Sequence, residues 1–133
     1  MFTALAGFVE AGETFEEAVA REVKEETGVT VDAASVKYLK SQPWPFPQSS
    51  MIAFTATADH SAAHNALDID TDELVAAHWF DREAVAAAAT VEGAVMNRDV
   101  AAAVLEERPE LELLIPPRNV VARDLIEAWL KSS

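Results

Sequence analysis

Residues 7–29 read GFVEAGETFEEAVAREVKEETGV, and the way this stretch places its acidic side chains decides how the chain is understood. Thr14 followed by Glu17 has the spacing of a capping box, and Glu16 and Glu17 fall in a first turn, where the helix dipole favours negative charge. Gly28 stands where a left-handed C-terminal residue belongs. The spacing predicts a helix over residues 14–27. Projected at about 100° per residue, Phe15, Ala18, Val19 and Val23 define one side, with Glu17 and Lys24 opposite. Glu22 then falls between Ala18 and Phe15, Glu26 between Phe15 and Val19, and Glu25 just beyond Ala18, so carboxylates occupy the face that should be apolar. Ionised carboxylates at these spacings repel one another, and partial burial raises their pKa values unless something positive compensates. Arg21 is expected to answer only one of them well. A hard divalent cation bound through oxygen answers the group, and Mg²⁺ in particular takes few protein carboxylates, leaving its other positions to water and phosphate. The competing reading is that Glu16, Glu17, Glu22, Glu25 and Glu26 form a solvated acidic face, the ordinary fate of a Glu-rich helix.

Around that helix the chain has 133 residues, half of them apolar and a quarter charged, which suits one globular domain and argues against disorder, collagen and coiled coil. A formal net charge of −13 disfavours non-specific binding to nucleic acid or anionic lipid. The same charge suits an enzyme of anionic substrates only where carboxylates hold a cation that reverses the local sign. With no cysteine, disulfides, zinc ribbons and thiol nucleophiles are excluded. No apolar run approaches the ~20 residues of a membrane span and the start lacks a basic signal region, so the reading is a soluble, intracellular protein with no targeting signal.

Residues 2–10 suit a buried strand or strand-like loop, residues 29–40 a strand broken around 32–35, residues 51–58 a strand, and residues 73–80 a further strand. Helices are predicted over 81–89, 95–107 and 119–131, the last with Val120, Val121, Leu125, Ile126 and Trp129 available to a core. Residues 41–49, SQPWPFPQS, carry three prolines at alternate positions. Such spacing stiffens an extended segment and sets Trp44 and Phe46 on one side, where they could stack on a flat base, while Gln42, Gln48 and Ser49 could supply hydrogen bonds. A proline-rich recognition ligand is the alternative, but the segment runs straight into a strand.

Gly7, Glu13 and the run Arg21-Glu22-Val23-Lys24-Glu25-Glu26-Thr27-Gly28-Val29 match every fixed position of the Nudix box, a coincidence expected on the order of once in 10⁹ starting points. The chain thus resembles the Nudix hydrolases, and residues 41–49 resemble the signature of their NADH pyrophosphatase subfamily. The resemblance implies a single Nudix domain over residues 1–133, with an α/β fold: an α/β/α sandwich with a mixed sheet, here without the N-terminal strands that normally precede the box. It assigns Glu25 and Glu26 as base candidates, Arg21 as the residue orienting the glutamates, and Glu22, Glu25, Glu26 and Glu73, with a backbone contact from Ala6, as holders of Mg²⁺ or Mn²⁺. It places Phe8, Gln42, Trp44, Phe46, Gln48, Ser49 and Ala122 against the substrate. The implied reaction is hydrolysis of the diphosphate of NADH or NAD⁺ to nicotinamide mononucleotide and AMP. Alternatives are another nucleoside diphosphate derivative (ADP-ribose, diadenosine polyphosphate, NAD-capped RNA) or an inactive dinucleotide-binding module. A homodimer is expected, and His60, His64 and His78 match nothing catalytic.

Overall fold

A computed structural model describes residues 1–45, 48–58, 66–91 and 98–132, the side chains of 98–101 excepted. The class is α/β. Helix α1 (Phe15–Thr27) is followed by a 3₁₀ turn (Ala33–Ser35), strands β1 (Lys37–Trp44) and β2 (Ser49–Thr55), and helices α2 (Arg82–Ala89), α3 (Arg98–Glu107) and α4 (Val121–Lys131). β1 and β2 form a two-stranded antiparallel sheet, so the sheet among the described residues is small, as expected. No helix among them is long and apolar enough to cross a membrane. The chain divides into two compact units. One comprises Met1–Ala4, Lys40–Ala53 and Trp79–Ser133, the other Leu5–Leu39 and Phe54–His78.

The second unit is organised by α1. Thr14 caps it by accepting from the Glu17 backbone N–H at 3.1 Å, and Gly28 ends it at φ +76°, its N–H donating to the Lys24 carbonyl at 2.9 Å. The end of the helix is sealed from far along the chain: the Thr27 and Glu26 carbonyls accept from the N–H groups of Asp68 (2.8 Å) and Asp70 (2.9 Å). Those are carbonyls that a helix leaves without intrahelical partners. Ala18 and Val29 are buried, Phe15 meets Phe54, and Val31 bridges antiparallel to Ala58.

Two strand expectations need correction. Residues 2–10 take the loop option and are mostly exposed rather than buried. Residues 73–80 are not a strand, because the Glu73 and Leu74 N–H groups turn back onto the Asp70 carbonyl instead of reaching outward to a ladder. The strand expected over 51–58 ends at Thr55, and the break around 32–35 is the 3₁₀ turn. The helix expected from residue 95 is seen from Arg98, since residues 92–97 lie outside the described residues, as do 59–65.

In the first unit Val85 and Ala88 of α2 pack with Leu113 and Ile115, and Phe2, Phe80, Ile126 and Leu130 close over them. A second cluster joins Leu111 and Leu114 to Ala87, Val91, Val104 and Leu105. The charged member of this unit's interior is one that helical periodicity concealed. Arg123 is 3 % exposed and donates to the Pro116 carbonyl (3.1 Å), the Ala89 carbonyl (2.9 Å) and Glu127 (2.9 Å). It ties the end of α2, the segment before α4 and α4 itself into one network, and it holds the Glu127 carboxyl below the usual carboxylate range. Arg123→Met should therefore cost about 2–4 kcal/mol in urea unfolding, by leaving two carbonyls and a carboxylate without donors. Arg123→Lys should recover less than half of that, because an ammonium cannot reach three acceptors with a planar fork.

Candidate active site

The site grows from Arg21. Its guanidinium clasps both oxygens of Glu13 (2.7 and 2.9 Å), donates to the Phe8 carbonyl (2.9 Å), and reaches Glu22 (2.8 Å) and Glu25 (3.1 Å) through one nitrogen. The sequence reading limited Arg21 to one good partner; the forked guanidinium serves three carboxylates because its donors diverge in one plane. Glu13 also accepts from the Glu10 N–H, in a turn that Gly12 makes at φ +78°. The bond to Arg21, with help from that N–H, pulls the Glu13 carboxyl below the usual range. Hydrogen bonds to Glu13 and Glu22 raise the Arg21 pKa well above its ordinary value, so it is a permanent cation.

Beside this hub lies a cleft of about 380 Å³, whose lining includes Ala6, Gly7, Phe8, Glu22, Glu25, Glu26, Asp70 and Glu73. Six of the sequence-predicted residues thus share one cleft with Arg21. Their exposures differ sharply: Glu25 is 58 % exposed at its side chain and Glu22 23 %, whereas Glu26 is 6 % exposed as a residue. One Glu26 oxygen, Oε2, is buried with no hydrogen-bond partner. Burial first, and then the charges of Glu22, Glu73, Asp70 and Glu25, push the Glu26 carboxyl above the usual carboxylate range. Gly7 is shaped to this cluster, since a Cβ there would stand 2.3 Å from the Glu22 Cδ. The Phe8 ring is 87 % exposed although its carbonyl is held by Arg21. Among the described residues no three acidic or imidazole side chains converge as a finished ligand set. Like charges in one cleft spread apart, and two of these are drawn to Arg21.

Asp70, like Glu10, is a cleft residue that sequence reasoning missed. An aspartate three places before Glu73 in a polar stretch carries no periodic or motif signal, and only its bond to the end of α1 brings it here.

The residues expected against the substrate from 41–49 lie in the other unit. Gln42 spends its amide internally, donating to the Asn119 carbonyl (3.2 Å) and accepting from the Val121 N–H (3.0 Å) at the start of α4, where Ala122 is half-buried. Asn119 takes φ 81° to make that approach. Ser49 donates to the Trp44 carbonyl at 3.1 Å and so closes the hairpin. Trp44 is 47 % exposed and Gln48 is exposed at the turn, while Phe46 lies outside the described residues. A cavity of about 480 Å³ opens there, lined in part by Lys40, Gln42, Arg118, Asn119 and Asp124. His78 is exposed, and His60 and His64 lie outside the described residues.

Comparison with known proteins agrees with this arrangement. A family model described as the NUDIX domain matches residues 1–103. The NAD-capped RNA hydrolase NudC of Mycobacterium bovis is 44 % identical over 129 residues, covering 97 % of this chain and 36 % of that protein. The corresponding NudC of Mycobacterium tuberculosis is 43 % identical over the same coverage. The NAD-capped RNA hydrolase NUDT12 of Pongo abelii is 39 % identical over 131 residues, 98 % of this chain and 24 % of that protein. The chain therefore spans about a third or less of the length of these relatives. With the family model matched across most of its length and the box glutamates gathered around Arg21 in one cleft, the chain belongs to the NUDIX domain family.

Proposed function

We propose that the chain is a Nudix hydrolase of the diphosphate linkage in an NAD-type dinucleotide, with the NAD-capped 5′ end of RNA as its substrate. The observation that carries the hydrolase reading is the buried Glu26 carboxylate, whose Oε2 lacks any partner in a cleft lined by further carboxylates. A group kept so at a cost is one that answers to something else. The choice of substrate is supported by the relatives, named as NAD-capped RNA hydrolases in both the mycobacterial and the primate case. Free NADH or NAD⁺ is the second reading, favoured by residues 41–49 and their likeness to the NADH pyrophosphatase signature.

The donor set fits a divalent cation. It consists of oxygens, one of them buried and unpartnered, and a glycine keeps the space beside Glu22 open. Glu22, Glu25, Glu26 and Glu73, with the Ala6 backbone, would hold Mg²⁺ or Mn²⁺. Such a cation, when bound, neutralises diphosphate charge and acidifies water. Arg21 bonds to Glu22 and Glu25 and so would keep them oriented, and Glu25 or Glu26 would take the water's proton. In the net reaction water adds across the P–O–P bridge: one phosphorus gains the hydroxyl oxygen and the bridging oxygen leaves on the other. Nicotinamide mononucleotide is released together with RNA ending in a 5′-monophosphate, or with AMP from free NAD. The exposed Phe8 ring offers a stacking surface for a flat base.

Incubation with NAD-capped RNA and, separately, NADH, each with Mg²⁺ or Mn²⁺, tests the reading by chromatography of the products. Cleavage of the capped RNA, lost by about 10²-fold or more in Glu26→Gln, is the expected result. Cleavage of NADH alone would favour the second reading, metal-independent turnover would overturn the cation-holding role of the cleft, and absent turnover in folded protein would reduce the chain to a binding module.

The same variant carries a stability signature. Because the folded chain holds the Glu26 proton more tightly than the unfolded chain, stability falls as pH rises from the ordinary glutamate value of about 4.3 through the raised one. Without divalent cations, Glu26→Gln should thus melt at a higher temperature than the parent at pH 7, with the gap closing below about pH 4. Gly7→Ala should lower kcat/KM by about 10- to 100-fold through displacement of Glu22, with stability altered by less than about 1 kcal/mol because Gly7 is exposed. We also propose a homodimer: among the described residues the sheet has two strands and so two open edges, and Tyr38 and Ile52 on those strands are exposed. Light scattering at micromolar concentration should give twice the 14.4 kDa chain mass, and a monomeric mass would overturn it.

A further inference from the structure

The turn that carries Glu73 is held almost entirely by one residue. Asp70 donates its N–H to the Glu26 carbonyl (2.9 Å), its own carbonyl accepts from the N–H groups of Glu73 (3.1 Å) and Leu74 (2.9 Å), and its carboxylate Oδ1 accepts from the Asp72 N–H (3.0 Å). Thr71, Asp72 and Glu73 are all exposed, so hydrogen bonds rather than packing give the turn its shape. Through it Glu73 comes to the cleft that contains Glu26, which is nine-tenths buried and whose Oε2 is without a partner.

We infer that Asp70 is a positioning residue, whose side-chain hydrogen bond to the Asp72 N–H sets Glu73 against Glu26 for divalent-cation binding. The inference rests on the metal-dependent reading of the cleft and adds to it a residue that would hold a ligand in place without being one. An asparagine keeps an oxygen acceptor at the same position while removing the charge; an alanine removes both.

Mn²⁺ binding, read without substrate as the loss of the free-ion electron paramagnetic resonance signal, separates the cases in the full chain. Asp70→Ala is expected to weaken binding by about 10- to 100-fold, as loss of an outer hydrogen-bond partner of a ligand does, and Asp70→Asn to stay within about threefold of the parent. Hydrogen exchange at the Asp72 amide should speed up in Asp70→Ala and remain slow in Asp70→Asn, with circular dichroism as the check that both variants fold. Parent-like binding by Asp70→Ala overturns the inference, as does equal damage in Asp70→Asn, which would assign the role to the charge. Absence of Mn²⁺ binding by the parent chain would instead overturn the metal-dependent reading itself, and the inference with it; binding by the parent that is lost in Glu26→Gln upholds that reading independently of Asp70.

Discussion

The fork of hydrogen bonds from Arg21 is the constraint on which the glutamate cleft depends. Five contacts from one guanidinium draw the loop of residues 8–13 onto α1 and hold Glu13, Glu22 and Glu25 together despite their like charge. A planar cation with diverging donors does this where a lysine could not. Its reach ends before Glu26, whose buried oxygen it leaves unanswered. Among the described residues that oxygen is the buried side-chain atom left without a hydrogen-bond partner, which distinguishes this helix from an ordinary acidic surface.

The C-terminal end of α1 supplies the second constraint. Helix geometry leaves its last carbonyls without partners, and here backbone N–H groups from Asp68 and Asp70 take them, some 40 residues further along the chain. Gly28 permits it twice over: its φ of +76° turns the chain, and a Cβ there would stand 2.9 Å from the Asp68 Cβ. A generic helix-capping requirement thus delivers two more carboxylates, Asp70 and Glu73, to the cleft that holds Glu26. Burial and the carboxylates gathered there hold the Glu26 carboxyl above the usual carboxylate range.

The other unit shows polar groups used for architecture. Gln42 belongs to the proline-rich stretch that suggested base recognition, yet its amide holds the start of α4 through Asn119 and Val121. Ser49 likewise closes the hairpin on Trp44. Arg123, embedded in a helix whose periodicity advertises Val120, Val121, Leu125, Ile126 and Trp129, joins the end of α2 to the segment before α4 and to α4 itself.

The sequence by itself determined α1 and both of its caps, because Thr14, Glu17 and Gly28 act on neighbours within a few residues. It also determined the placement of Glu22, Glu25 and Glu26 on one helix and the broken strand at 32–35, since helical period and turn chemistry are local properties. The family was legible for the same reason: its motif is a run of spacings. Only the tertiary structure decided that Arg21 serves three carboxylates, that Glu26 rather than Glu25 is the buried one, and that residues 73–80 turn instead of extending. It alone brought Asp70 to the cleft and spent Gln42 on Asn119 and Val121. Those outcomes depend largely on which side-chain or backbone group satisfies a hydrogen bond, and bonds such as Arg21 to Glu13 or Gln42 to Asn119 and Val121, between residues about 8 to 80 apart in the chain, leave no periodic trace in the sequence.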